Sequence, residues 1–305
     1  MKEVNCYLCG SEDAEIIDVQ DFDDEYLTYI NPVYLAEPRY WNMCRECGFV
    51  YHNPRLDEAD VEVLYQERYR RHSLKIDNSA DEFFDRIMLL PKTESENYAK
   101  VSWLKSRLER HFDTIQVRRT VLDIGCSAGM FLKLFTNEIP NWDAVGVEPT
   151  QSFAEVAARR VGVPIKSVMY QSGQFNRCFD LITVVHVLEH IIDPGAFLRE
   201  VRCDLAESGV LFIEVPYVSD FGTLPMQHDR FMCPHLYYFS ESTAERLLAR
   251  SGFVIIEHDI ELSARGHANL RLLCAACPEK MPVQNTMPVA QDASALRRRW
   301  RESQK

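Results

Sequence analysis

Four of the ten cysteines stand in two closely spaced pairs within the first 50 residues. The pairs are Cys6-x-x-Cys9 and Cys44-x-x-Cys47, and a glycine directly follows each of them. Such a glycine relieves crowding where backbone N–H groups approach the thiolates, and four thiolates close a tetrahedral zinc site with no position open for catalysis. The spacing therefore predicts a structural Zn²⁺ site formed by Cys6, Cys9, Cys44 and Cys47.

The stretch VLDIGCSAGMF, residues 121–131, combines a predicted strand, a glycine-rich turn and the start of a helix. Such a turn brings backbone N–H groups close to a ligand. Glu148 ends the next predicted strand, 23 residues after Gly125, where an acidic side chain can accept hydrogen bonds from both hydroxyls of a ribose. Gly-x-Ser-x-Gly also fits the nucleophile elbow of a serine hydrolase, but no oxyanion loop of the His-Gly-Gly type precedes it. We therefore expect a turn that binds a nucleotide-like cofactor, with Ser127 as a tolerated small residue.

Two histidine-containing stretches follow predicted strands. HVLEH follows the strand predicted at 179–185, and QHDRFMCPH follows the strand predicted at 209–215. Imidazole titrates near neutral pH and can remove a proton from a hydroxyl. The candidate catalytic residues are His186, His190, His228 and His235. HVLEH also matches an inverted zincin motif, but that chemistry needs a long helix and here a strand precedes the motif. Hydrogen bonds that merely hold the turn are an equally good explanation for Glu189 and His190.

Elements that position these residues alternate between strand and helix from residue 120 onwards. The predicted strands are 120–124, 143–148, 179–185 and 209–215, with helices between them at, for example, 153–161 and 194–204. This alternation predicts a parallel sheet covered by helices on both faces. A helix capped by Ser240 follows, and strands at 253–260 and 269–275 are expected to pair as an antiparallel hairpin at the sheet edge. Upstream, we predict a helix after Asp57, a polar interval around Asn78 and Ser79, and a second helix at 94–111.

Composition excludes several classes of function. The formal net charge of −12 opposes attraction to nucleic acid phosphates or to an anionic membrane surface. No run of 18 apolar residues occurs, so no membrane span is predicted. The first residues lack the apolar core of a signal peptide, so we expect a cytoplasmic protein. In a reducing compartment the paired cysteines favour a metal over disulfides.

The ordered motifs resemble the class I S-adenosylmethionine-dependent methyltransferases. VLDIGCSAGMF, AVGVEP, FDLITVVHVLEHIIDP and LFIEVP match that family in order and spacing over about residues 118–277. The resemblance implies an α/β, Rossmann-like fold with a seven-stranded sheet whose last strand is antiparallel, and S-adenosyl-L-methionine (SAM) as the cofactor. It implies that Glu148 holds the ribose and that Val168 and Met169 lie on the adenine side. The other cofactor-binding residues expected in the core are Asp123, Gly125, Cys126, Gly129 and His186.

The chain also resembles zinc-containing methyltransferases that act on nucleotide-linked deoxysugars and related polysaccharide or natural-product sugars. The features that carry this resemblance are the cysteine pairs, the core and, between them, the stretch FVYHNPRLDEADVEVLYQERYR. This resemblance implies a small, sugar-derived acceptor and a helical cap in which Tyr65 and Tyr69 contact the cofactor or simply pack. Whether carbon, oxygen or nitrogen is methylated stays open. The segments expected are a zinc ribbon at 1–53, a helical cap at 54–115, the methyltransferase core at 116–278 and a flexible tail at 279–305, whose basic run we expect to form a short solvated helix.

Two other functions remain open at this point. Some ribosomal RNA methyltransferases also carry a zinc module, so methylation of rRNA or tRNA is one alternative. Residues 1–53 contain eleven Asp/Glu and three Lys/Arg, a net charge of −8, and zinc-bound thiolates add further negative charge. Because such a surface repels phosphates, a nucleic acid partner is disfavoured. The other alternative is a non-catalytic scaffold that binds SAM and whose ribbon docks a partner protein.

Overall fold

The computed structural model describes residues 1–65, 77–112, 117–277 and 293–305. Its strands are β1 (Ala14–Gln20), β2 (Arg39–Cys44), β3 (Val50–Asn53), β4 (Arg119–Ile124), β5 (Trp142–Val147), β6 (Ile165–Lys166), β7 (Phe179–Val185), β8 (Leu205–Pro216), β9 (Tyr237–Tyr238), β10 (Phe253–Leu262) and β11 (Ala268–Ala276). Its α-helices are α1 (Glu25–Ile30), α2 (Glu58–Val63), α3 (Ala80–Met88), α4 (Glu96–His111), α5 (Met130–Glu138), α6 (Gln151–Val161), α7 (Pro194–Cys203), α8 (Glu241–Arg250) and α9 (Ala293–Ser303). Short 3₁₀ helices lie at Pro32–Ala36, Leu188–His190, Val218–Gly222 and Asp229–Phe231. No helix in these ranges is long and apolar enough to cross a bilayer.

A seven-stranded sheet runs in the order β10-β11-β8-β7-β4-β5-β6. The strands from β8 to β6 are parallel, whereas β11 is antiparallel to both of its neighbours. The central strands are covered on both faces, so Leu122, Ile182 and Ile213 are each 0% exposed, as expected of parallel strands with nearly continuous apolar sequences. The α/β, Rossmann-like fold class and the antiparallel last strand are therefore confirmed.

Helix starts follow the capping chemistry that the sequence contains. Asp57 and Asp60 form a capping box at α2, and Ser240 and Thr243 form another at α8. The structure differs at α3, which begins where the sequence shows only a polar interval. There the Ser79 side chain accepts a hydrogen bond from the Glu82 N–H, because serine in that position is a helix N-cap as readily as a loop residue.

The N-terminal segment forms a four-stranded antiparallel sheet that the core completes. The order is β1-β2-β3-β9, and β9 belongs to the stretch after β8 that carries the second pair of candidate histidines. Val50 pairs with Tyr238 and Tyr51 with Tyr237. The first 53 residues are therefore paired with the loop after β8, which contains His228 and His235.

The basic run near the end of the sequence is not a solvated helix. Helix α9 packs against β1 and the 3₁₀ helix Val218–Gly222. Arg297 is 2% exposed, its Nε donates to Asp18 Oδ2 over 2.6 Å and its Nη1 donates to the Leu224 carbonyl. The expectation of a flexible tail with a solvated helix fails for this part, because its acidic partner lies 279 residues away in sequence.

Candidate active site

A cavity of about 960 Å³ opens at the carboxyl ends of β4, β5 and β7. This is the edge at which open α/β sheets bind ligands. The predicted cofactor residues that line it are Asp123, Gly125, Cys126, Glu148, Met169, His186 and Tyr65. Gly129 and Val168 are not among its lining residues, and Tyr69 lies outside the described residues. The structure therefore gathers most of the predicted cofactor residues around one cavity.

Glu148 is held at the cavity wall by backbone groups. Its carboxylate is 1% exposed, and its two oxygens accept one N–H each, from Ser127 over 2.9 Å and from Thr150 over 3.1 Å. Both donors belong to turns that follow strands, so the strand order itself fixes the carboxylate. Carboxylate oxygens accept hydrogen bonds and do not donate them, so this side chain suits hydroxyl donors.

Asp123 is the second buried acidic residue that lines the cavity. Burial raises the pKa of Asp123 to about 7; the hydrogen bond that Thr183 Oγ1 donates over 2.6 Å opposes this, and the negative charge of Glu148 adds to it. Two buried carboxyl groups close together favour a ligand with positive charge, because a cation lowers the cost of ionising both.

The glycines of the turn are needed mainly for backbone conformation and packing. Gly125 has φ +76° and Gly129 has φ +90°, and a Cβ there would lie 2.5 Å from Val187 and 2.6 Å from Val161, respectively. The glycines therefore let the turn pack closely against these two valines, and Gly125 also lines the cavity. Ser127 also has a positive φ of 54°, so the whole turn is a tight left-handed connection into α5.

His186 lies between two carboxylates. Its Nδ1 is 3.1 Å from Glu189 Oε1 and its Nε2 is 3.1 Å from Glu214 Oε1. Burial alone would lower the pKa of His186, but the hydrogen bonds and charges of Glu189 and Glu214 outweigh it, and the pKa is raised. Both ring nitrogens face carboxylate oxygens, which favours the protonated imidazole and therefore makes His186 a poor proton acceptor.

Glu214 connects the histidine to two buried cations. Lys100 Nζ lies 3.0 Å and Arg271 Nε 2.6 Å from its carboxylate oxygens. Burial would raise the pKa of Glu214, but Lys100, His186 and Arg271 outweigh burial and hold it well below its usual range. The sequence analysis missed this network, although Glu214 in LFIEVP and Arg271 in NLRLL are charged residues inside apolar strands. Lys100 also lines the cavity.

The other three candidate histidines divide by position. His190 lines the cavity, whereas His228 and His235 do not. His235 lies 4.7 Å from His190, centroid to centroid, and burial together with His190 lowers its pKa to about 3. His228 contacts Asp229 through its Nδ1, and its Nε2 lies 3.1 Å from the Nε2 of His267. His186 and His190 are therefore the candidates that reach the cavity.

The four predicted zinc ligands are brought together. The sulfur atoms of Cys6, Cys9, Cys44 and Cys47 all lie within 4.8 Å of one another. Gly10 and Gly48 adopt φ +79° and +73° and donate their N–H groups to the carbonyls of Cys6 and Cys44, which is the turn geometry that the spacing predicts. The arrangement is able to hold a tetrahedral metal ion with sulfur ligands.

Residues 96–258 match a protein family described as "Methyltransferase domain". The match covers more than half of the sequence and includes β4 to β8 and the first part of β10, whereas β11 lies outside it. The chain belongs to this methyltransferase family. The resemblance to class I methyltransferases is thus confirmed at the level of the family and the fold.

Known relatives of this methyltransferase differ in what they act on. A tRNA U34 carboxymethyltransferase of Alteromonas mediterranea is 28% identical over 50% of this chain and 49% of its own length. A ubiquinone biosynthesis O-methyltransferase of Rhodopseudomonas palustris is 27% identical over 30% of this chain and 38% of its own length. The chain therefore spans about half or less of the length of these relatives, and their substrates do not transfer to it.

Solved structures agree on the fold. The plantazolicin methyltransferase BpumL in complex with SAH matches 71% of this chain and 96% of its own, with a TM-score of 0.52 and 14% identity. A SAM-dependent methyltransferase from Clostridium acetobutylicum matches 65% of this chain and 98% of its own, with a TM-score of 0.50 and 14% identity. At such low identity the likeness supports the fold alone.

The first cysteine pair of this methyltransferase is docked on the core through Tyr7. Its hydroxyl donates to Asp193 Oδ1 over 2.6 Å and accepts the Gly195 N–H over 2.9 Å. We expect Tyr7→Phe to lower the free energy of unfolding by about 1–2 kcal/mol, because both hydrogen bonds are lost at a partly buried site. Urea denaturation measures this. Tyr29→Phe is the control, with an expected change below about 0.5 kcal/mol; equal effects of the two substitutions would contradict the docking role.

The raised pKa of His186 predicts a pH-dependent contribution to stability. A histidine whose folded pKa exceeds its unfolded value of about 6.5 stabilises the fold fully below that value, and the contribution disappears as pH rises through the folded pKa. We therefore expect the difference in unfolding free energy between the wild type and His186→Gln to be largest near pH 6 and to shrink in more alkaline buffer. The exposed His258 provides the control variant, His258→Gln. A difference that stays constant or grows with pH would be inconsistent with an imidazolium between two carboxylates.

Proposed function

We propose that this protein transfers a methyl group from SAM to a small acceptor, a nucleotide-linked sugar, a surface-polysaccharide precursor or a related secondary metabolite. The observation that carries the proposal is that one cavity of about 960 Å³ is lined both by an acidic pair, Asp123 and Glu148, and by a histidine cluster, His186 and His190. Ligand pockets span roughly 300–1,000 Å³, so a cavity at the top of that range has room for a cofactor and a small second ligand.

The acidic pair is proposed as the cofactor half of the cavity. Glu148 would accept hydrogen bonds from the ribose hydroxyls, and Asp123 would face the positively charged methionine part. Met169, which is 54% exposed and lines the cavity, lies where the adenine would be covered. Cys126 also lines the cavity, and Val168 and Gly129 would contribute from outside its lining. Tyr65 and Lys100 line the cavity as well.

The histidine cluster is proposed as the acceptor half. Methyl transfer breaks the bond between the sulfonium sulfur and the methyl carbon, forms a bond from the acceptor atom to that carbon, and releases the acceptor's proton. The enzyme mainly aligns the two reactants and provides a place for the proton. Both ring nitrogens of His186 face carboxylates, and His228 and His235 do not line the cavity. The proton therefore leaves at His190, whose Nδ1 is fixed by the Pro234 carbonyl at 2.8 Å.

The four clustered cysteines are proposed to hold a structural Zn²⁺. Four thiolates fill the coordination sphere, so the ion takes no part in the transfer. Its role is to fold the ribbon that pairs with β9. We place the protein in the cytoplasm, where thiols stay reduced and available to the metal.

Charge favours a small acceptor over RNA. Residues 1–53 carry −8 and the whole chain −12, and a phosphate backbone is repelled by such a surface. A scaffold function is also less well supported, because part of the ribbon's edge is already occupied by β9.

Incubation with methyl-labelled SAM tests the proposal. The purified protein would be supplied in parallel with a nucleotide-sugar pool, a general small-metabolite extract and total RNA. We expect label in a small-molecule fraction and its loss in a Glu148→Ala variant. Label found in RNA alone would overturn the small acceptor. Tight SAM binding without turnover on any fraction would instead identify a scaffold and overturn the enzymatic proposal.

A further inference from the structure

A second group of metal-binding side chains lies beside the cavity. Glu189, His190 and His235, here called the Glu-His-His cluster, each offer a ligand atom, and these atoms all lie within 4.8 Å of one another. Glu189 is 0% and His190 is 5% exposed. Ligand atoms on a shared metal ion, bound at about 2.0–2.2 Å each, lie roughly 3–3.5 Å apart. Small side-chain rotations therefore close the cluster around an ion.

Both imidazoles are oriented by main-chain carbonyls. His190 Nδ1 lies 2.8 Å from the Pro234 oxygen and His235 Nδ1 lies 2.7 Å from the Arg230 oxygen. A carbonyl only accepts, so each neutral ring carries its proton on Nδ1 and its lone pair on Nε2. Metal-binding histidines are held by the same kind of contact to a backbone carbonyl at the other ring nitrogen.

Glu189 supplies an independent indication of a cation. Its Oε1 contacts His186 Nδ1 at 3.1 Å, whereas its Oε2 is buried and has no hydrogen-bond partner among the described residues. A buried carboxylate oxygen without a partner is costly. A cation between this oxygen and the two histidines would remove that cost. The main chain also fixes the spacing, since the Leu236 N–H donates to the Glu189 carbonyl over 2.8 Å.

We propose that the Glu-His-His cluster binds a divalent transition-metal ion, separate from the four-cysteine site. Two imidazoles and one carboxylate suit Zn²⁺, Fe²⁺, Co²⁺ or Mn²⁺ better than Ca²⁺ or Mg²⁺, which prefer oxygen ligands alone. His186 is not a ligand, because its two nitrogens face Glu189 and Glu214. The ion therefore sits on one side of the HVLEH turn, and His190 is the ligand that faces the cavity.

Three protein ligands leave coordination positions open, as in catalytic rather than structural sites. A catalytic role for the ion rests on the proposed function. A hydroxyl of the acceptor that binds at an open position becomes more acidic and gives its proton to water. Its oxygen then forms the bond to the methyl carbon while the carbon–sulfur bond breaks. His190 would in that case act as a metal ligand at the place where the acceptor loses its proton.

Cobalt binding tests the site without any acceptor or cofactor. Protein with Zn²⁺ in the ribbon is titrated with Co²⁺, and bound metal is counted by mass spectrometry. We expect one further equivalent of Co²⁺, with visible d–d absorption and no thiolate-to-cobalt charge-transfer band. Glu189→Gln and His235→Gln should each weaken Co²⁺ binding by at least about 100-fold, more than the usual loss for a residue that only supports a ligand. The exposed His258→Ala serves as the matched control and should bind Co²⁺ like the wild type.

Two results would overturn the site. One is a wild-type protein that takes up no Co²⁺ beyond the ribbon. The other is Co²⁺ uptake that both variants retain. The measurement on the wild type needs no variant, so it remains decisive even if a substitution prevents folding. Thermal unfolding shows whether each variant is folded. Failure of methyl transfer with intact Co²⁺ binding would count against the proposed function alone.

Discussion

Replacing Glu148 by alanine is expected to raise the Kd for S-adenosylhomocysteine by about 100-fold or more. The substitution removes a buried carboxylate that would accept hydrogen bonds from two ribose hydroxyls, each worth about 1.5–3 kcal/mol when the acceptor is charged. Tenfold in affinity corresponds to about 1.4 kcal/mol. Isothermal titration calorimetry measures the change directly.

The control for this experiment is Glu155→Ala, which removes an exposed carboxylate on α6. It should leave the Kd unchanged within about twofold, the equivalent of less than 0.5 kcal/mol. Glu148→Gln, which keeps one carbonyl acceptor and the side-chain volume, should lie between the wild type and Glu148→Ala. Equal affinity in the wild type and Glu148→Ala would show that the ribose is bound elsewhere.

Replacing Cys44 by serine is expected to unfold the ribbon. The binding energy of a structural zinc ion is largely folding energy. The buried apolar residues between the two cysteine pairs, such as Ile17, Leu27 and Trp41, pack into a core shared with the rest of the chain. We expect the free energy of unfolding of the affected part to fall by an amount on the order of 5 kcal/mol. Urea denaturation followed by tryptophan fluorescence reports this, because Trp41 is fully buried in β2.

Unfolding of the ribbon should also affect the loop after β8, whose Pro234 carbonyl orients His190. Strand β3 pairs with β9 immediately after His235, and the His52 N–H donates to the Leu236 carbonyl over 3.0 Å. Turnover in Cys44→Ser is therefore expected to fall more than affinity for S-adenosylhomocysteine. The exposed Cys178 provides the matched control, Cys178→Ser. A fully stable Cys44→Ser protein with unchanged metal content would contradict a four-cysteine zinc site.

The order of the motifs was enough to predict that Asp123 and Glu148 lie close together. Asp123 lies near the end of β4 and Glu148 directly follows β5, and strands in a parallel sheet end at the same edge. The sequence therefore predicts that they meet, and they do. The sequence did not predict helix α3, because a serine such as Ser79 is as common in a loop as at a helix N-cap.

The positions of the histidines relative to the cavity could not be predicted from the sequence. Four of them follow the correct strands, yet His228 and His235 lie off the cavity, because the loop after β8 is fixed by long-range pairing with β3. The charge state of His186 also depends on Glu214, which lies 28 residues further along the chain and on a neighbouring strand. Likewise, only the folded chain brings Arg297 to Asp18.

A crystal structure of the protein with S-adenosylhomocysteine would show whether the cofactor lies between Glu148 and His190. We predict that the ribose hydroxyls donate to Glu148 at hydrogen-bond distances of about 2.5–3.0 Å. We also predict that the sulfur atom faces His190, with open space between them for the acceptor. A cofactor bound away from Glu148, or with its sulfur turned from the histidine side of the cavity, would contradict this arrangement.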